Sequence, residues 1–169
     1  MKVLKFGGTS VGSPENMRSV MSIITDNEQK IVVLSAMSGT TNALVEISEL
    51  LGKKNRETAG ILIGKLESGY RDVVNNLYVS DENKEKGLQV IKSSFDIIKS
   101  FTSGRFTQVA ANTILSMGEI ISTKLFTLLM EENGYNVKLL PALDFMRIDE
   151  EKMADLKFIT DNIKRVINE

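Results

Sequence analysis

Lys5-Phe6-Gly7-Gly8-Thr9-Ser10 places a cation and two adjacent glycines at the end of a short apolar segment, Val3 to Phe6. Glycine lets the backbone come close to a ligand and aim successive amides at an anion, while Lys5 adds a movable positive charge; the combination suits phosphate. It is neither the Walker loop nor the dinucleotide fingerprint, because the spacing of Gly7, Gly8 and Gly12 misses both. A tight strand-to-helix turn with a solvated Lys5 accounts for the same residues. A second stretch, Ser35-Ala36-Met37-Ser38-Gly39-Thr40-Thr41, offers hydroxyls and amides just before a helical pattern. Those groups could hold a ligand carboxylate, or they could only cap the helix, which is the commoner use.

The third chemical signal is a row on a helix predicted over Phe106 to Met130. Ala110, Ile114, Met117, Ile121, Leu125 and Leu128 form an apolar stripe, widened by Leu115, Phe126 and Leu129 on one side and by Val109 and Ile120 on the other. What is left is Asn112, Ser116, Glu119 and Thr123, at steps of four, three and four, with Glu119 as the one charge. A solvated face ordinarily carries several charges, so the row reads as a helix looking into a polar cavity with a buried carboxylate. Such a carboxylate needs a partner: a ligand ammonium, or more simply Arg105 or a lysine.

The elements that must position these groups follow from periodicity. Val3 to Phe6 reads as a strand and Ser13-Pro14 as the cap and first turn of a helix carrying Met17, Val20, Met21 and Ile24, which Asp26-Asn27-Glu28 ends. Ile31 to Leu34 reads as a second strand, buried on both faces. Strand, helix, strand is a βαβ unit, which sets both small-residue loops at one sheet edge, where open α/β folds bind ligands. A helix with Leu44, Ile47, Leu50 and Leu51 follows. Arg56 to Phe101 reads as two helices joined near Ser80-Asp81-Glu82, an appended pair that lids or dimerises. Asn133-Gly134 stops the next helix, Val137 to Leu140 is a third strand, and Asp155 to Ile167 a last helix.

Composition narrows the chemistry. Without His or Cys the chain builds no Ser-His-Asp or Cys-His nucleophile, thiolate zinc site or disulfide. With 21 basic and 22 acidic residues it has no broad basic field for nucleic acid or an anionic membrane. The start, Met1 to Gly8, has no leader-like apolar stretch, and no apolar run reaches the ~18 residues of a membrane span. The expectation is one cytoplasmic domain with a single core.

In order and approximate spacing, Lys5 to Val11, Val33-Leu34-Ser35-Ala36 followed by Gly39, Thr41 and Asn42, and Gly118-Glu119 with Ser122 resemble the aspartokinases of the amino acid kinase family. The resemblance implies an α/β fold: a three-layer αβα, carbamate kinase-like architecture with a mainly parallel sheet, of which this is the N-terminal lobe with a helix-rich middle. It implies phosphoryl transfer from ATP, with Mg2+ carried on the nucleotide, to the side-chain carboxylate of L-aspartate. The product is 4-phospho-L-aspartate, on the way to lysine, threonine and methionine. Lys5 is then the catalytic residue bridging the transferred phosphoryl, and Phe6, Gly7, Gly8 and Ser10 line the nucleotide phosphates. Thr41 and Glu119 hold aspartate, Glu119 facing its ammonium, with Ser35 and Ala36 around the same cleft and no protein ligand to metal. The acceptor carboxylate is ionised at neutral pH, so the missing histidine is no obstacle: alignment and charge stabilisation suffice.

The family's glycine-rich Arg/Asp segment, adenine-binding half and regulatory ACT domains have no counterpart here. Ile148-Asp149-Glu150-Glu151 stands where a phenylalanine-glycine pair is often found. The resemblance therefore implies that residues 1–169 are the amino-acid-binding lobe of a longer, homo-oligomeric enzyme, with little or no kinase activity alone. A glutamate-, carbamate- or nucleotide-accepting kinase is the alternative within the family, and a non-catalytic binding or oligomerisation module the alternative outside it. Glu119 discriminates, since a carboxylate favours an ammonium-bearing acceptor and repels a phosphate-bearing one.

Overall fold

The computed structural model describes residues 2–26, 28–151 and 153–168, and divides into two compact units, Met1–Val137 and Lys138–Glu169. In the first, β1 (Lys2–Phe6) and β2 (Lys30–Leu34) pair in parallel, with Lys5 opposite Val33 and Phe6 opposite Leu34. Strand alternation turns Leu4 and Phe6 toward the core and leaves Val3 and Lys5 exposed. Between the strands runs α1 (Pro14–Ile24), capped as its sequence predicts by the Ser13 hydroxyl, which accepts the Asn16 amide, and buried through Met17, Val20 and Ile24. It ends at Ile24; of the expected stop, Asn27 lies outside the described residues.

Four helices complete this unit: α2 (Thr40–Gly52), α3 (Arg56–Leu77), α4 (Asp81–Ser100) and α5 (Gln108–Glu132). Asn55, Ser80 and Thr107 cap the last three through their side chains. The expectation that α3 and α4 are an appended pair is corrected. Ile63 and Leu77 of α3 and Ile91, Phe95 and Ile98 of α4 are fully buried in one core with Leu44, Ile47, Ile114, Ile121 and Leu125. Their apolar faces have no other place to go, and two polar clamps tie them in. Glu132, at the end of α5, accepts the amides of Val79 and Ser80, the Ser80 hydroxyl and the Asn83 side chain. Glu67 of α3 pairs with Arg71 on its own helix and with Lys99 of α4. On composition alone α5 is long and apolar enough to cross a membrane, but it is packed into this core through ten buried residues.

Two further expectations change. β2 is not buried on both faces: Val33 is 42% exposed, because helices of the described residues cover one side of a sheet that has two strands. Val137 to Leu140 forms no strand, since among the described residues β1 and β2 pair only with each other and no third backbone offers a ladder. The second unit holds α6 (Ala142–Phe145), an antiparallel bridge between Ile148 and Ala154, and α7 (Leu156–Asn168). Arg147 braces it, donating to Asp155 and lying 4.2 Å over the Phe158 ring.

Candidate active site

Because β1 and β2 run parallel, the loops after them leave from the same edge. Loop 1 folds on itself, the Ser10 amide donating to the Gly7 carbonyl and that of Gly12 to Thr9, and is pinned by fully buried Val11. Two backbone bonds tie loop 2 to β1 and to loop 1: Ser35 donates to the Phe6 carbonyl and Ser38 to that of Gly8, each at 3.1 Å. Gly8 is required by this contact, since a Cβ there would lie 2.7 Å from the Ala36 carbonyl oxygen. The carbonyls of Gly7, Gly8 and Thr9 are thus taken up, and among the described residues no acceptor meets the amides of Gly8 and Thr9.

Helix α5 docks on loop 2 from the other side. Gly118 makes the approach possible: a Cβ there would fall 2.7 Å from the Ala36 Cβ and 3.1 Å from Thr40 Cγ2. One turn on, buried Ser122 donates its hydroxyl to the Ser35 carbonyl at 2.8 Å. Glu119 stands between, its Oε1 accepting the Ala36 amide at 3.4 Å. The loop between β2 and α2 is therefore held by one backbone bond to β1, one to loop 1 and two bonds to α5.

Glu119 itself departs from expectation. It is exposed, as is Asn112, while Ser116 and Thr123 are half-buried, and no lysine or arginine pairs with it among the described residues. With Asn112 and Glu119 exposed, the polar line opens to solvent instead of a closed cavity. Its carboxylate keeps a free oxygen and an open side, which is what a carboxylate that must meet an incoming cation needs.

Loop 2 also departs from its reading as a helix cap. The N-cap of α2 is Gly39 at φ +81°, with no side-chain cap bond, leaving the Thr41 side chain exposed at the helix start. The Thr40 hydroxyl turns inward to the Tyr70 phenol of α3 at 2.8 Å, both groups buried. Burial pushes that phenol up to about 12, aided by the charge of nearby Glu119. Tyr70 is absent from any sequence reading of the site, because at helical spacing it looks like a core aromatic.

Of the residues expected to act together, Ser35, Ala36 and Glu119 are joined directly, and Gly7 and Gly8 belong to the loop hydrogen-bonded to them. Lys5 is exposed beside Val33, one residue short of the edge, without an ion pair among the described residues. Phe6 and Ser10 line a different feature, an open depression of about 300 Å3 shared with Asn16, Ser19, Val20 and Ile23 of α1. No group of three or more carboxylates that could hold a cation occurs among the described residues.

The model of the amino acid kinase family matches residues 1–169. The chain belongs to the amino acid kinase family. The bifunctional aspartokinase/homoserine dehydrogenase of Buchnera aphidicola is 31% identical over 179 aligned residues, which cover 99% of this chain and 22% of that protein. Among solved structures, Escherichia coli aspartokinase III in complex with lysine and aspartate superposes with a TM-score of 0.78 at 22% identity. The match covers 99% of this chain and 39% of that one. The same enzyme in complex with aspartate and ADP gives 0.77 with the same coverage. These likenesses establish the amino acid kinase fold, an αβα arrangement with a small parallel sheet and many helices. The 169 residues span about a fifth of the relative and two-fifths of the solved chain.

Proposed function

We propose that residues 1–169 form the amino-acid-binding lobe of an aspartokinase, with the adenine-binding half of the kinase domain and the ACT domains outside them. The reaction is transfer of the γ-phosphoryl group of ATP to the side-chain carboxylate of L-aspartate, giving 4-phospho-L-aspartate, in the synthesis of lysine, threonine and methionine. The observation that carries this reading is the Glu119 carboxylate hydrogen-bonded to the Ala36 amide, at the sheet edge from which the glycine loop also leaves. The solved relative that takes aspartate and ADP supports it by its fold.

In this reading Glu119 faces the substrate ammonium, while Thr41 and the start of α2 receive its α-carboxylate. Ser35 and Ala36 form the floor. The acceptor oxygen attacks the γ-phosphorus, the bond to the β,γ-bridging oxygen breaks, and ADP leaves; no base is needed because the nucleophile is already an anion. Lys5 and the amides of Gly7 and Gly8, flanked by Phe6 and Ser10, offset the charge on the phosphoryl oxygens. Mg2+ arrives on the nucleotide, and no step is routed through a protein-bound ion. A cytoplasmic location and a homo-oligomeric assembly belong to the same proposal, without nucleic-acid or membrane partners.

Calorimetry tests the assignment. Aspartate should give a saturable binding heat that Glu119→Ala reduces by at least tenfold in affinity, with glutamate and carbamate weaker. A coupled assay should show negligible turnover by the 169-residue chain. Aspartate binding that survives Glu119→Ala unchanged would remove Glu119 from the site, and no ligand heat together with concentration-dependent self-association would instead favour a non-catalytic module.

A further inference from the structure

Thr40 is one of the points where loop 2 meets the helical layer. Its amide donates to the Met37 carbonyl, its methyl lies under Gly118, and its hydroxyl meets the Tyr70 phenol at 2.8 Å. Both side chains are 3% exposed. Two hydroxyls so deeply placed are costly unless each satisfies the other, and a phenylalanine at 70 would fill the same space beside Phe95, whose ring centroid is 6.0 Å away. Packing alone therefore does not require the phenol oxygen. What the oxygen does is fix the rotamer of the residue between Ala36, which donates to Glu119, and Thr41, the exposed residue at the start of α2.

We infer that Tyr70 is a positioning residue for the amino-acid substrate: through Thr40 it locks the Ala36–Thr41 loop in the geometry that lets Glu119 and Thr41 act on one ligand. It touches no substrate. The inference rests on the aspartate reading for the identity of that ligand, but the locking of the loop can be measured without any ligand.

The test compares Tyr70→Phe, Thr40→Val and the double variant with wild type by three measurements: thermal melting, amide hydrogen exchange, and calorimetry with aspartate. Each single variant orphans a buried hydroxyl and should melt lower, and the double variant should recover most of that loss. If Tyr70 positions the loop, exchange at the Ala36 to Thr41 amides rises about tenfold in all three variants, the recovered double variant included, with the rest of the chain unchanged. The aspartate Kd rises about three- to tenfold in parallel. Loop exchange that stays at the wild-type rate in Tyr70→Phe, or returns to it in the double variant along with stability, overturns the inference and leaves the pair as packing. Should wild type take no aspartate, the substrate reading fails, and exchange by itself still decides Tyr70. Should a single variant not fold, the double variant carries the comparison.

Discussion

The two sides of the first unit are built differently. The β1–β2 edge has two five-residue strands, with Val3 65% and Val33 42% exposed and amides of its first loop open. The layer of α3, α4 and α5 buries Ile63, Leu77, Phe95 and Ile121 completely, and bolts its ends with the Glu67 and Glu132 clamps. Apart from Glu119, which α5 contributes, the groups with chemical potential lie on the thin side and the stabilising contacts on the thick one. The thick side reaches the thin one at three loop residues: Tyr70 meets Thr40, Gly118 and Glu119 meet Ala36, and Ser122 meets Ser35. A half-exposed edge can stay ordered for binding when a well-packed layer holds it from behind.

The largest effect expected from this contrast is at the thick side. Phe95→Ala should cost about 3–5 kcal/mol in urea unfolding, because it empties a fully enclosed site. Val33→Ala, on the open sheet face, should cost less than about 1 kcal/mol. Equal losses at the two positions would erase the difference between the regions.

A smaller effect sits at the junction. Gly118→Ala forces a methyl to within 2.7 Å of the Ala36 Cβ, so α5 and loop 2 must separate, at about 1–3 kcal/mol. The substitution should weaken the Ala36–Glu119 bond more than it disturbs the α3–α4 packing, which amide exchange resolves region by region.

The smallest effect is the acid limit. Burial alone would raise the Glu67 and Glu132 carboxyls. For Glu67, hydrogen bonds from Lys99 and Arg71 outweigh burial and hold it below its ordinary 4.5. For Glu132, the Ser80 and Val79 amides and the Ser80 and Asn83 side chains do the same. A carboxylate depressed in the folded state stabilises it fully above the unfolded value and loses that contribution as pH falls through the folded one. With no histidine in the chain, the melting temperature should be flat from about pH 6 to 8 and decline below about 4.5. Glu67→Gln should lower the plateau and make the decline shallower; a plateau that stays put would remove Glu67 from the list of bolts.

Much of this was legible residue by residue. Ser13-Pro14 announces α1, the four-, three-step apolar stripe announces α5, and Lys5 to Val11 with Gly118-Glu119 points to the family. The misreadings share a cause. Val33, in an unbroken apolar run, looks enclosed, and Glu119, alone on a polar row, looks buried; both are open, because exposure depends on which elements arrive from elsewhere. Val137 to Leu140 has a strand's composition and lacks a strand's partner.

Period, capping and turn chemistry act over a few residues, so the sequence by itself determined the βαβ start, the long helices and the two small-residue loops. Only the tertiary structure decided that the Thr40 hydroxyl points inward to a phenol 30 residues away. It also decided that Ala36 meets a carboxylate 83 residues on and that Ser35 receives a hydroxyl from 87 residues on. Those pairings satisfy backbone and hydroxyl groups by long-range packing, and local periodicity holds no record of which distant group will arrive to satisfy them.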